Sequence, residues 1–351
     1  MKPPLRPDLE SLEPYRAPQP EAPVRLNTNE CPYPLPEGFV TDLADAVRGI
    51  ALNRYPDREA TGLRKALAEH TGHPFDGVWV ANGSNEVLEQ LLLAYGGPGR
   101  RAALFPPTYV MHAHLARVCL TDVVEEPLDE GFRLTERHVE FVRRERPHVV
   151  FVCSPNNPTG NAQDPAIVEA LCREAPGLVV VDEAYAEFGG ASALGLAGSL
   201  DNLAVTRTFS KAFSLAGARL GYVLTTPEIV EDVQRVRLPY HLSALSQATG
   251  EAALRHVTEA NDLLDAIREQ RDRIVRDLAT IPGVTVHPTD ANFVLFHPGR
   301  PADEVWRGLL ERGVLVRDFS TLPGTEGCLR VTAGTPEETT AFLTALREVL
   351  G

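Results

Sequence analysis

Residues 178–183 read LVVVDE, an almost unbroken apolar run that ends in two carboxylates. Residues 149–154 (VVFVCS) and 203–208 (LAVTRT) are also near-continuous apolar runs. Such runs are typical of strands that are covered on both faces, as in a parallel sheet. A polar cluster follows each run: SPNNPTG, DEAYAEF and TFSKAF. Because ligands of open α/β sheets bind beyond the carboxyl ends of the strands, we predict that the three clusters line one crevice.

The rest of the chain alternates short β-branched runs with amphipathic helical stretches, which predicts an α/β fold with a mainly parallel central sheet flanked by helices. Residues 1–36 carry ten prolines and are expected to form an extended N-terminal arm, of which residues 25–36 (RLNTNECPYPLP) dock on the protein. Residues 37–243 form the predicted large, ligand-binding domain. Residues 244–351 form a smaller α/β C-terminal domain, with strands near NFVLF, VLVRD and CLRVTA and a final helix from Pro336.

Charge and cysteine content exclude several classes of function. The formal net charge of -14 disfavours nucleic acid or an anionic membrane as the main partner. The five cysteines are scattered and form no Cys-x-x-Cys pair, so we expect neither disulfides nor a metal site, and we interpret His112, His114, His70 and His73 as structural or surface residues. The N-terminus has no apolar signal region and no run is long enough to span a bilayer, which favours a cytoplasmic protein.

Lys211, in TFSKAF, is the first candidate for chemistry. Lysine occurs only at Lys2, Lys65 and Lys211, while the other 31 of the 34 basic residues are arginine. A desolvated lysine can lose its proton and attack an aldehyde to form a Schiff base, whereas arginine stays charged. An ordinary loop lysine is the alternative, and from position and composition together the two readings are about equally supported.

Three further residues in the clusters suit a pyridoxal ring. Asp182 ends a buried strand, where its carboxylate can pair with a protonated pyridine nitrogen or cap a helix beginning near Ala184. Asn157 and Tyr185 can hydrogen-bond the ring oxygen, although turn chemistry alone explains SPNNPTG. The Asn157–Pro158 bond is a candidate cis peptide.

A phosphate group has a candidate site of its own. Gly83 and Ser84 precede a helical pattern in ANGSNEVLEQLLLAY, so backbone N–H groups at a helix N-terminus can receive an anion, although a simple cap is the commoner meaning of such a pair. Arg219 can supply charge in a fork geometry, and Thr208 and Ser210 offer hydroxyl groups.

Ten segments follow one another along nearly the whole chain: LNTNECPYP, NRYPD, GSNEVLEQLL, PPTYVMH, SPNNPTG, VDEAYAEF, RTFSKAFSLAGARLGY, ANFVLF, VLVRDF and CLRVTAGTPEE. In kind and order they resemble the fold-type I pyridoxal-phosphate-dependent aminotransferases, and within these the histidinol-phosphate aminotransferase family. The ordered combination is far more specific than any single motif.

This resemblance implies a role for each candidate. Lys211 would hold pyridoxal 5'-phosphate as an internal aldimine, Asp182 would pair with the pyridine nitrogen, Asn157 and Tyr185 would contact the ring oxygen, and Tyr109 would stack on the ring. Two further sets are implied. The phosphate would be held by Ser84, Asn85, Thr208, Ser210, Arg219 and, from the neighbouring subunit of a homodimer, Tyr55; the substrate would be contacted by Tyr15, Asn29, Arg317 and Arg330.

The activity implied is transamination between L-histidinol phosphate and 2-oxoglutarate, which gives imidazole acetol phosphate and glutamate in histidine biosynthesis. An aromatic-amino-acid aminotransferase and a phosphothreonine decarboxylase-like enzyme stay open, because such relatives share the cofactor motifs. A ligand-binding regulator on the same scaffold is a different class, and the absence of a helix-turn-helix or basic segment disfavours it.

Overall fold

The three apolar runs form neighbouring strands at the centre of a seven-stranded sheet. The computed structural model describes residues 2–10, 12–14 and 19–351, and the statements below concern that part of the chain. In sheet order the strands are β2 (Val78–Ala81), β8 (Gly221–Leu224), β7 (Leu203–Thr208), β6 (Leu178–Asp182), β5 (Val149–Cys153), β3 (Arg101–Leu104) and β4 (Asp122–Glu125).

Six of the seven strands run in the same direction, and only β8 is reversed, antiparallel to its two neighbours β2 and β7. The predicted mainly parallel sheet is therefore confirmed. Helices cover it on both sides because its strands are apolar on both faces. One face packs against α3 (Ser84–Tyr95), α4 (Val110–Val118) and α7 (Pro227–Val236), and the other against α5 (Glu136–Glu145) and α6 (Pro165–Glu174).

A second sheet of five strands lies towards the C-terminus. In order it contains β1 (Val24–Leu26), β11 (Val314–Asp318), β12 (Leu329–Thr332), β10 (Phe293–His297) and β9 (Thr285–Val286). The strands predicted near NFVLF, VLVRD and CLRVTA are β10, β11 and β12. The N-terminal arm contributes β1, which pairs in parallel with β11, and this long-range pairing brings the arm to the second sheet.

The remaining helices connect and cover the two sheets. They are α1 (Glu37–Arg48), α2 (Thr61–Thr71), α8 (Ala244–Arg255), α9 (Val257–Leu278), α10 (Ala302–Glu311) and α11 (Pro336–Leu350). The predicted final helix begins at Pro336, and a capping box of Thr335 and Glu338 satisfies its first N–H groups. Helices α8 and α9 follow one another directly along the chain and meet at His256.

The predicted extended arm is interrupted at one place. Pro7–Leu9 forms a single 3-10 turn, because proline at the first position of a helix loses no hydrogen bond that the turn needs. In the described part of the chain, no helix combines the length and the apolar character that crossing a membrane requires. The division into an arm, a large domain and a small domain at residues 36 and 243 stays a prediction.

Candidate active site

A cavity of about 370 Å³ opens at the carboxyl ends of β5, β6 and β7, where the sequence predicts the crevice. Two walls enclose it. The wall built on the large sheet, here called the sheet wall, includes Ser84, Asn85, Tyr109, Asn157, Asp182, Tyr185, Thr208, Ser210, Lys211 and Arg219. The opposite wall, here called the arm wall, consists of residues 27–30 of the N-terminal arm, Arg317 and Arg330 of the second sheet, and Phe319, which follows β11.

Lys211 follows β7 directly and projects into this cavity. Its Nζ donates a hydrogen bond to the carbonyl oxygen of Thr28 at 3.0 Å. The pKa of Lys211 is lowered to about 8, mainly by desolvation; the charges of Arg330 and Arg219 also lower it, and Glu30 opposes the shift. At neutral pH a larger fraction of this amine is therefore unprotonated than of a solvated lysine, as a nucleophilic amine requires.

Asp182 lies at the base of the cavity, with only 2% of its surface exposed. Its Oδ2 is 3.1 Å from Nε2 of His112, a fully buried residue of α4, and its Oδ1 accepts a hydrogen bond from the N–H of Ala184 at 3.2 Å. The ring of His112 is stacked on Phe151 at 4.8 Å. A buried carboxylate held in this way can receive a protonated ring nitrogen from the cavity side.

Tyr185 is hydrogen-bonded both to the N-terminal arm and to the loop that follows β5. Its hydroxyl oxygen accepts hydrogen bonds from Nδ2 of Asn29 at 3.0 Å and Nδ2 of Asn157 at 3.3 Å. Burial raises the pKa of Tyr185 to about 12, so its own proton stays on the oxygen and can be donated into the cavity. The Asn157–Pro158 peptide is cis, in agreement with the sequence prediction.

The opposite end of the sheet wall suits a phosphate. Helix α3 begins at Ser84 with Gly83 as its N-cap, so no capping side chain bonds its first N–H groups. Gly83 has φ of +87°, and a Cβ there would lie 2.7 Å from Nη2 of Arg219, so only glycine lets the guanidinium approach the helix end. Arg219 Nη1 also donates to Oγ of Ser210 at 3.3 Å.

A second guanidinium lies in the arm wall and has different neighbours. Arg330, 5% exposed, donates from Nη1 to Oδ1 of Asn157 at 2.6 Å and from Nη2 to the carbonyl oxygen of Asn27 at 2.9 Å. Its Cζ lies 5.0 Å from the ring centre of Phe319, and Arg317 also borders the cavity. The cavity thus has two separate places for an anion, one at Arg219 and one at Arg330 and Arg317.

Most residues predicted for the site therefore line one cavity. Tyr109 is among them, and its hydroxyl lies 3.3 Å from Oδ1 of Asn85. Tyr55 does not line the cavity of its own chain; it is 80% exposed and stacks on Tyr240 at 4.5 Å. Tyr15 lies outside the described residues. Within the described chain, no three His, Cys, Asp or Glu side chains are grouped as a metal site.

Sequence reasoning missed two members of the site. His112 was interpreted as structural or surface, but it is buried and bonded to Asp182; its spacing of three residues from Tyr109 on a helical pattern is the signal that could have indicated it. Glu30 was not considered although it directly follows Asn29, and its position in the arm wall depends on tertiary contacts that no local pattern displays.

Comparison with known proteins gives a consistent result. The sequence profile of the family described as aminotransferase class I and II matches residues 21–346. The histidinol-phosphate aminotransferase of Streptomyces avermitilis is 50% identical to this chain, with 99% of the chain and 96% of that protein covered. The protein of the same name from Frankia casuarinae is 49% identical, with 99% and 90% covered.

A solved structure agrees with the sequence comparisons. The crystal structure of histidinol-phosphate aminotransferase from Sinorhizobium meliloti, in complex with pyridoxal-5'-phosphate, is similar with a TM-score of 0.88 and 26% sequence identity. The similarity covers 99% of this chain and 97% of that one, and so includes both walls of the cavity.

Proposed function

Since the chain belongs to the aminotransferase class I and II family, we propose that it transfers the amino group of L-histidinol phosphate to 2-oxoglutarate in histidine biosynthesis. The products are imidazole acetol phosphate and glutamate. The enzyme is an aminotransferase, its fold is the fold-type I transferase fold, and its cofactor is pyridoxal 5'-phosphate.

The chemistry of the sheet wall fits this cofactor at three points. The uncapped N-terminus of α3, with Arg219 and Ser210, would hold the phosphate, and Asp182 would hold the pyridine nitrogen. Tyr185 would donate its proton to the ring oxygen. Asn85, Tyr109, Asn157 and Thr208 would complete the contacts. When bound, the cofactor supplies an aldehyde for the amine and an electron sink for the charge that develops at the substrate Cα.

Lys211 has two tasks in this proposal. Its Nζ would anchor the aldehyde group of the cofactor, and once free it would take the proton from the substrate Cα as a general base and return a proton as a general acid. A group with a pKa of about 8 suits both directions, because neither protonation state is strongly disfavoured near neutral pH.

The two separate anion sites are the observation that carries the choice of substrate. One anion site is needed for the cofactor phosphate, so Arg330 and Arg317 are left for a second anion. A guanidinium fork binds the phosphate of histidinol phosphate and the side-chain carboxylate of glutamate equally well in geometric terms, and a two-substrate transaminase needs both. Asn29 and Tyr15 are assigned to substrate contact on the family resemblance.

The proposal includes a homodimer in the cytoplasm. Tyr55 is 80% exposed, Leu52 71% and Leu238 74%, which leaves them free to be covered by a second copy, and the family resemblance implies that Tyr55 then contacts the phosphate in the neighbouring subunit. The five free cysteines accord with a reducing compartment. Sedimentation should give about twice the chain mass of 38.3 kDa. A fully active monomer would contradict the shared site.

The test of the activity compares amino donors. Purified protein with pyridoxal phosphate is given 2-oxoglutarate and either histidinol phosphate, tyrosine or phenylalanine, and glutamate formation is measured. We expect kcat/KM to be highest for histidinol phosphate. Aromatic amino acids as much better donors would overturn the substrate assignment, and release of carbon dioxide from phosphothreonine without glutamate formation would favour the decarboxylase alternative.

A further inference from the structure

Glu30 is the one side chain of the arm wall that carries a negative charge. Four cationic side chains line the cavity: Lys211, Arg219, Arg317 and Arg330. Among the described residues that line the cavity, Asp182 is the only other carboxylate, and it is bonded to His112 and assigned to the cofactor. Glu30 is therefore the anionic group that the cavity can offer to a substrate.

The two residues before Glu30 are held in place by hydrogen bonds. Oε2 of Glu30 accepts a hydrogen bond from the Thr28 hydroxyl at 2.9 Å, and the Thr28 carbonyl oxygen in turn accepts from Lys211. Asn29, with φ of +56°, is bonded through its N–H and its Oδ1 to the Thr332 hydroxyl. The carboxylate is thus presented by a backbone that is already held at the residues before it.

The spacing of the arm relates Glu30 to the substrate's anion site. Asn27, three residues earlier, accepts a hydrogen bond from Arg330 through its carbonyl oxygen. Three residues of chain span at most about 10 Å, so the guanidinium and the carboxylate lie within reach of one small molecule. The arm wall therefore offers a cation for one end of a ligand and an anion for the other.

We propose that Glu30 is a specificity residue that accepts a hydrogen bond from the imidazole N–H of the substrate while Arg330 and Arg317 hold its phosphate. Imidazole has an ordinary pKa of about 6.5, so near neutral pH the ring is an N–H donor and part of it is a cation. Both forms are favourable partners for a carboxylate. Glutamate, the other amino donor, has no such ring, so Glu30 contributes nothing to its binding. This inference rests on the proposed activity towards histidinol phosphate.

The test is Glu30→Gln, which keeps the shape of the side chain and removes its charge. Two half-reactions of the holoenzyme are followed by the change in cofactor absorbance, one with histidinol phosphate and one with glutamate. We expect kcat/KM for histidinol phosphate to fall about 10-fold, mainly through KM, and that for glutamate to change less than about 3-fold. Glu21→Gln, on the exposed surface of the same arm, is the matched control and should change neither.

Each remaining outcome has a defined meaning. If wild-type protein accepts glutamate but not histidinol phosphate, the proposed activity fails before Glu30 is tested. If wild type uses both and the variant loses both equally, Glu30 serves the common amine or Lys211, and the specificity role is wrong. A pH titration of the cofactor absorbance band distinguishes a role at the substrate amine from a role at Lys211, because in the Glu30 variant only an effect through Lys211 moves the midpoint of the titration. An unchanged kcat/KM for histidinol phosphate also overturns the proposal.

Discussion

The two walls of the cavity are built in different ways. Side chains of the sheet wall stand at the ends of strands or at the start of α3, within a few residues of the element that positions them. The arm wall joins residues 27–30 to strands β11 and β12, some 300 residues away along the chain. One wall is fixed by local structure, and the other exists only when the arm has docked.

This difference matches a division of tasks between cofactor binding and substrate binding. The cofactor is the same for both substrates, so it can be held by the sheet wall, which is built on a sheet with a large apolar core on each face. Two different substrates must enter and leave, and they meet the arm wall, where the arm is held by hydrogen bonds to Thr332, Arg330 and Asn292. Substitutions in the sheet wall should therefore change mainly kcat, and substitutions in the arm wall should change mainly KM.

The largest effect is expected at Asp182, on the sheet wall. Asp182→Asn keeps the shape but removes the charge that stabilises a protonated ring nitrogen, so kcat should fall by about 10² to 10³-fold. The measurement is steady-state kinetics at saturating cofactor, with bound cofactor quantified separately. Asp201→Asn, on an exposed turn, is the control. A kcat near that of wild type would remove Asp182 from the catalytic set.

A smaller effect, on KM rather than on kcat, is expected at Arg330 on the arm wall. Arg330→Lys keeps the positive charge near Lys211 but loses the two-pronged guanidinium, so KM for histidinol phosphate should rise about 10-fold with kcat nearly unchanged. Arg25→Lys, an exposed position of β1, is the control. A fall in kcat at constant KM would show that the two walls do not divide the work as described.

The smallest effect is expected at His112, which acts behind the sheet wall. His112→Phe keeps an aromatic ring beside Phe151 but removes the contact to Asp182, and kcat should fall about 3- to 10-fold because one hydrogen bond to a charged group is lost. The midpoint of the cofactor's absorbance titration should move in the same variant, which loss of packing alone would not cause. His114→Phe, on the same helix, should move neither quantity.

The sequence predicts the residues of the sheet wall better than those of the arm wall, for the same physical reason. Lys211, Asp182 and Asn157 follow apolar runs directly, so the rule for the ends of parallel strands predicts their convergence. Gly83 and Ser84 precede a clear helical period, which predicts the phosphate end. These signals are local, and the structure places Lys211, Asp182, Asn157 and Ser84 in one cavity.

The arm wall depends on contacts that leave no local signal. Docking of residues 25–36 was predicted, but the pairing of Val24 with Val314 and the resulting position of Glu30 were not. Arg317 and Arg330 came from family resemblance, since in an arginine-rich chain two more strand arginines are unremarkable. His112 needs both a helical period and the knowledge that α4 packs beneath the cavity.

The central claim is that this cavity holds pyridoxal phosphate on Lys211. The most direct test is the visible absorbance of purified protein with the cofactor, followed by borohydride reduction and peptide mapping, for wild type, Lys211→Ala and the control Lys65→Ala. We predict a visible band in wild type and in Lys65→Ala, with the reduced cofactor attached to the peptide that contains residue 211, and loss of both signals in Lys211→Ala. A colourless wild type, or a cofactor attached to a different lysine, would contradict the account.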